Sequence, residues 1–310
     1  MAEGGVVVAA ARPQWIVLTP SADDQAWREA IASAVTEANL VFVDADRVSD
    51  SERRPADGEV WLTEDALRPV SYGHKPLVVF MPRPETAPEA VADVRGIYPP
   101  HSVWQASLLL ARAVDQGAAG ALVVSGNQLN AIRERRFRLT DWLSIQPPRA
   151  GDVVPVRPAV RAALALFADG PPQPGLETTW SERIFQYDER AARDWEAAGK
   201  LDITGRPRIL VYGPYLALPA GVWKARVRFA VDEQASKREF RIDWGAPADF
   251  KSTSVSPKEP GVYEVEMEHS WPDSAMAEIR LLVMEGAFDG RLDFLGATVS
   301  YVSEPQLTLA

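Results

Sequence analysis

The chain has 310 residues, 46% of them hydrophobic and 25% charged. That is ordinary globular composition and excludes a disordered or fibrous chain. With 33 Lys and Arg against 43 Asp and Glu, the formal net charge is -10, which argues against a generic binder of nucleic acid or other polyanions. There is no Cys, so disulfides, thiolate nucleophiles and Cys-bound metals are excluded. The three His, at 74, 101 and 269, leave little for a His-based metal site or a Ser-His-Asp triad.

Residues 1–11 are rich in Val and Ala but lack a basic start and run into Arg12-Pro13, a poor secretory signal. No run approaches the ~20 apolar residues of a membrane helix. A cytoplasmic protein without a membrane span is the expectation, with a place in a surface assembly as the alternative.

Residues 1–145 alternate apolar runs with helix-like segments, the layout of a mostly parallel α/β sheet. The runs are Trp15–Leu18, Leu40–Val43, Val60–Leu62, Pro76–Phe80 and Ala121–Val124. Their continuous apolarity suits strands buried on both faces. Ser21 or Asp23 can cap a helix reaching Ala38, with Trp27, Ile31 and Val35 on one face. Ser102 can cap a second, stopped by Gly117. Several runs end in polar residues, among them Asp44-Ala45-Asp46 and Thr63-Glu64-Asp65. Ligands of open α/β sheets sit at the carboxyl ends of strands, so a site on this half belongs there; turn and cap chemistry explains the same residues.

Residues 146–200 read as a Pro- and Gly-rich linker carrying helices over about 159–167 and 181–198, with Trp180, Ile184, Tyr187 and Trp195 expected to pack onto a neighbouring domain. From Arg208 the period changes to two. Trp223, Ala225, Val227, Phe229 and Val231 alternate with Lys224, Arg226 and Arg228. Phe240, Ile242 and Trp244 alternate with Arg241 and Asp243, and Tyr263, Val265 and Met267 with Glu264, Glu266 and Glu268. Strict alternation means one dry face and one wet face, hence an antiparallel β-sandwich over residues 201–310, of jelly-roll type. The basic strand 224–228 and the acidic strand 264–268 are suited to pair.

The segments Val211-Tyr-Gly-Pro-Tyr215, Leu218-Pro-Ala-Gly-Val-Trp223, Ala277-Glu-Ile-Arg-Leu281 and Gly290-Arg-Leu-Asp-Phe294 carry a resemblance. Residues 201–302 resemble the carbohydrate-binding-module-like β-sandwiches found beside bacterial glycosyltransferases and polysaccharide-synthesis proteins. Thr63, Glu64, Arg68, Pro69, Gly73 and Pro76 are similar to a stretch in the nucleotide-sugar-binding, Rossmann-like half of two-domain glycosyltransferases, although Asp65 stands where those enzymes carry Lys. The resemblance implies a Rossmann-like first half and glycan as the partner of the second.

Sugar rings present apolar C–H faces that stack on aromatic rings, and hydroxyls that need planar donors and acceptors. Tyr212, Tyr215 and Trp271, at strand ends or in loops, are the stacking candidates, with Arg241 and Asp273 as polar partners; Glu268 is a further candidate. Trp223, Trp244 and Tyr263 fall on the inward phase and read as core. If the chain is an enzyme, it is a small or degenerate glycosyltransferase whose nucleotide-sugar site uses Thr63, Glu64, Arg68, Asp44 and Asp46. No catalytic residue, cofactor or metal site is otherwise expected. Arg133–Arg138 is the one basic cluster, suited to phosphate, to an acidic polysaccharide or to a solvated helix end. A third reading is a protein-interaction role in a surface or virion-like assembly.

Overall fold

The computed structural model describes residues 12–48, 53–95, 99–131, 135–149, 151, 154–188 and 198–305. The chain divides into two compact units: Met1–Val156 with Phe167–Pro171, and Arg157–Leu166 with Pro172–Ala310.

The first unit is α/β. Its strands are β1 (Gln14–Leu18), β2 (Val41–Asp44), β3 (Glu59–Thr63), β4 (Val78–Met81) and β5 (Leu122–Ser125). They form one parallel sheet in the order β2-β3-β1-β4-β5. Helices α1 (Asp24–Glu37), α2 (Leu67–Ser71), α3 (Ala87–Arg95), α4 (Pro99–Ala118) and α5 (Gly126–Ala131) are interspersed. Both faces of the central strands are dry. Ile16, Leu18, Val60, Leu62, Val78 and Phe80 pack with Trp27, Ile31 and Val35 of α1. On the other face Trp15 stacks on Tyr72 and packs against Trp61. This is why the strands read as unbroken apolar runs. A short ribbon, β6 (Phe137–Arg138) and β7 (Ser144–Ile145), completes the unit.

The second unit is a β-sandwich, entered through α6 (Pro158–Leu164), which continues as a tighter turn to Phe167. Its strands are β8 (Glu177–Trp180), β9 (Gln186–Tyr187), β10 (Lys200–Asp202), β11 (Arg208–Tyr212), β12 (Pro214–Leu218), β13 (Gly221–Val231), β14 (Phe240–Ala246), β15 (Asp249–Val255), β16 (Gly261–Trp271), β17 (Ala275–Val283) and β18 (Arg291–Ser303). One antiparallel sheet runs β10-β18-β13-β16, with β8 also on β18. The other runs β15-β14-β17-β11-β9, with β12 also on β17. Trp180, Trp223, Phe229, Phe240, Trp244 and Phe294 are fully buried between the sheets. The basic and acidic strands pair as their charges suggest: Lys224 faces Glu268, Arg226 faces Glu266 and Arg228 faces Glu264.

The helix expected from Ser181 does not form within the described residues. Ser181–Ile184 makes a single capped 3-10 turn, and Gln186–Tyr187 is a strand paired with β11. Trp180, expected as an interdomain contact, ends a strand of the sandwich and meets Trp244 edge-on, with centroids 5.9 Å apart. Residues 189–197 lie outside the described residues, as do Arg133 and Glu134 of the basic cluster and residues 1–11.

Candidate functional site

Two places gather polar residues that the sequence singled out. The first is at the carboxyl ends of β2 and β3. Thr63 donates to Asp46 Oδ1 at 2.8 Å, and the Glu64 backbone N–H donates to Asp46 Oδ2 at 2.9 Å. Arg68 comes within 3.5 Å of Asp46. At the centre is Arg28, from α1, almost entirely buried. Its guanidinium donates to Asp24 at 2.6 Å, Asp44 at 2.7 Å and Asp46 at 3.1 Å. Burial alone would drive the charge off Arg28, but the three carboxylates outweigh it and hold its pKa above the usual value. Burial raises the pKa of Asp46, against the pull of Thr63 and Arg28.

The five residues expected to hold a nucleotide-sugar are thus brought near one another, but the carboxylates of Asp44 and Asp46 face Arg28. An internal guanidinium already donates to both carboxylates. The described residues contain no group of three or more His, Cys, Asp or Glu arranged to hold a metal ion. In the sequence Arg28 stands out only as part of a helix, because its partners lie in strands that residue spacing does not connect.

The second place is the outward face of the β15-β14-β17-β12 sheet. Along β14, Phe240, Ile242 and Trp244 point inward, so Arg241, Asp243 and Gly245 point outward. Along β17, Ala277, Ile279 and Leu281 point inward, so Glu278 and Arg280 point outward. Register sets Asp243 beside Arg280 and Ser252, and Gly245 beside Glu278 and Phe250. A Cβ at Gly245 would meet the Asp249 carbonyl oxygen at 2.1 Å, so this position takes only glycine.

Two Arg–carboxylate pairs sit on this face, each within one strand. Arg280 donates from Nε and Nη2 to the two oxygens of Glu278, both at 2.9 Å. Arg241 donates from Nη2 to Asp243 Oδ2 at 3.1 Å, and its Nε lies 2.9 Å from Oδ1. Ser252 also donates to Asp243, at 2.7 Å. The carboxylates lie beneath the cations. The side chains of Asp243 and Glu278 are 3% and 1% exposed, against 39% for Arg241 and 30% for Arg280. The Arg280 guanidinium lies over the Phe250 ring, 4.2 Å from its centroid.

Tyr215 belongs to the same cluster. Its backbone is left-handed, with φ of 59°, an uncommon state for a bulky residue and one that marks a constrained position. Desolvation, then the charge of Glu278 and a hydrogen bond to it, push its phenol up to about 12. Tyr212, at the end of β11, is near enough to add to that shift.

The other expected glycan contacts are elsewhere. Trp271 ends β16 on the inward phase and is buried. One face stacks on His269, with centroids 4.7 Å apart and planes 6° apart, and Trp244 meets it at 5.3 Å and 80°. It is a core residue and has no open face for a sugar. Asp273 is exposed in the turn before β17. Arg241 faces Leu282, so roughly 23 Å of strand separates the two. Glu268 is exposed on the other sheet, opposite Lys224. Tyr212 and Tyr215 do come together, beside Glu278 and Arg280, while Arg241 lies farther along the same face, opposite Leu282. Sequence reasoning misses Phe250, Asp243, Glu278 and Arg280; the Arg-x-Asp and Glu-x-Arg spacing on outward phases is the available signal.

No protein-family model matches the chain, and no curated protein matches it. Among solved structures it is similar to TmCBM61 in complex with β-1,4-galactotriose, at 10% identity over 38% of this chain and 86% of that one, with a TM-score of 0.28. It is also similar to a family 16 carbohydrate-binding module, at 14% identity over 33% and 80%, with a TM-score of 0.24. A family two carbohydrate esterase from Cellvibrio japonicus matches at 14% identity over 43% of this chain and 36% of that one, with a TM-score of 0.24.

Proposed function

We propose that the chain is a glycan-binding protein of polysaccharide metabolism. Its ligand lies across the outward face of the β15-β14-β17-β12 sheet, over Arg241, Arg280, Phe250 and Tyr215. One observation carries the reading: two guanidiniums are fixed on a solvent-facing sheet by carboxylates buried beneath them, beside Tyr215 in its constrained backbone state. Two buried carboxylates on the wet phase of a sandwich are costly unless paired, and pairing here leaves pre-oriented donors at the surface. Pre-oriented planar donors beside aromatic rings are what sugar recognition requires.

The same geometry weighs against glycoside cleavage. Both oxygens of Glu278 are taken by Arg280, and Asp243 is held by Arg241 and Ser252, so neither carboxylate is placed to pass a proton. The glycosyltransferase alternative gains no support from Asp44 and Asp46, whose carboxylates are paired with Arg28.

Two ring contacts and a few hydrogen bonds give an affinity on the order of 0.1–1 mM for a single sugar. Useful retention then depends on a polymer engaging several sites. A glycan array probed with the full chain tests the reading. Retention of at least one polysaccharide, weakened at least tenfold by Phe250→Ala, supports it. No retention, or retention unaffected by Phe250→Ala, refutes it.

A further inference from the structure

The outward face carries an imbalance that bears on the kind of glycan it takes. Its carboxylates are hidden and its guanidiniums are displayed. The carboxylates of Asp243 and Glu278 are at most 3% exposed, and their oxygens are engaged by Arg241, Ser252 and Arg280. The hydroxyl of Ser252 is turned to Asp243, and the phenol of Tyr215 to Glu278. What these two pairs leave pointing outward is guanidinium, with the exposed Ser254 opposite Arg241. Arg280 binds its carboxylate through the Nε and Nη2 edge and Arg241 through Nη2, with its Nε 2.9 Å from Asp243, and neither Nη1 group has a partner among the described residues.

A neutral sugar offers hydroxyls, which donate as readily as they accept and are best met by a mixture of donors and acceptors. A surface whose charged groups on display are all donors favours a ligand rich in acceptors. Guanidinium has the further property of matching a carboxylate in a planar fork. The two guanidiniums stand on neighbouring strands in a diagonal relation, since Asp243 faces Arg280 while Arg241 faces Leu282. Their backbones are therefore about 7–8 Å apart. Each already holds one carboxylate, which does not prevent a second: in the first unit Arg28 alone seats Asp24, Asp44 and Asp46.

Resting on the glycan-binding reading above, we propose that the ligand is an acidic glycan, a polymer of uronic acids, whose carboxylates are received by Arg241 and Arg280. The recognition is local. It works against the chain's overall charge of -10, so it is a matter of fork geometry rather than of long-range attraction.

The experiment titrates the full chain with polygalacturonate, alginate and hyaluronate, each beside its carboxyl-reduced form, in which the acid has become a primary alcohol and the backbone is kept. The proposal expects at least one acidic polymer to bind ten times or more tighter than its reduced form. It also expects Arg241→Lys and Arg280→Lys, which keep the charge but lose the fork, each to weaken that binding at least tenfold, with unchanged circular dichroism. Equal or tighter binding of the reduced polymers overturns the acidic-glycan proposal and leaves the glycan reading standing. Full affinity in both Lys variants overturns the fork. No binding of any acidic or reduced polymer overturns this proposal, and if the array is blank as well the glycan reading falls with it.

Discussion

Glu278 and Arg280 are two residues apart on one strand, facing the same way, and close on each other through two parallel contacts of 2.9 Å. The carboxylate is buried and the guanidinium half-covers it. Removing either partner alone leaves a charge that the fold has taken out of water. Glu278→Ala or Arg280→Ala is expected to cost about 2–3 kcal/mol in urea unfolding followed by tryptophan fluorescence, below the range for fully buried pairs because Arg280 is partly solvated. Replacing both together, Glu278→Gln with Arg280→Met, is expected to recover at least half of that loss. An additive double variant would show that the two side chains do not act as a pair.

Tyr215 titrates late. Its phenol is pushed up to about 12 by burial and by Glu278, against about 10 for an ordinary tyrosine. A raised pKa means that the fold favours the neutral phenol. The stabilisation is complete below about pH 10 and is lost as the pH rises toward 12. Absorbance at 295 nm should show a component near pH 12 that Tyr215→Phe removes and that Glu278→Gln moves downward. A titration unchanged in both variants would contradict the assignment.

Trp271 is a core residue. Trp271→Ala is expected to cost about 3–5 kcal/mol, comparable to Trp223→Ala, because its ring fills the space between His269 and Trp244. A thermal melt reads the difference. A variant as stable as the parent would return Trp271 to the surface.

Arg28 is expected to be the most sensitive polar residue of the first unit. Arg28→Ala leaves Asp24, Asp44 and Asp46 without their buried cation, with only the more exposed Arg47 and Arg68 beside them, at a cost of about 3–5 kcal/mol. If Arg28→Ala instead gains Mn²⁺ binding in calorimetry with little loss of stability, the Asp44–Asp46 pair is a latent cation site, not a structural one.

Much of this architecture is legible in residue order. The runs at Trp15–Leu18 and Val60–Leu62 read as buried parallel strands because both faces are covered. The alternation from Trp223 to Val231 gives the strand and its dry face directly. The spacing after Ser181 misleads because Trp180, Ile184 and Tyr187 recur at helical intervals although they sit on a strand end, a turn and another strand. Trp271 misleads for a simpler reason: the inward phase of Tyr263, Val265 and Met267 continues through His269 to Trp271, and a polar residue on that phase hides the continuation. The site is half legible. Tyr212, Tyr215 and Arg241 stand out by chemistry, but Asp243 and Glu278 lie on wet phases and are buried beneath Arg241 and Arg280, with Ser252 and Tyr215 beside them.

The measurement closest to the central claim is hydrogen exchange of the full chain with and without a saturating polysaccharide retained on the array. Added protection confined in the sandwich to β12, β14, β15 and β17 is expected. Protection of β13 and β16 with β14 and β17 unchanged would contradict it.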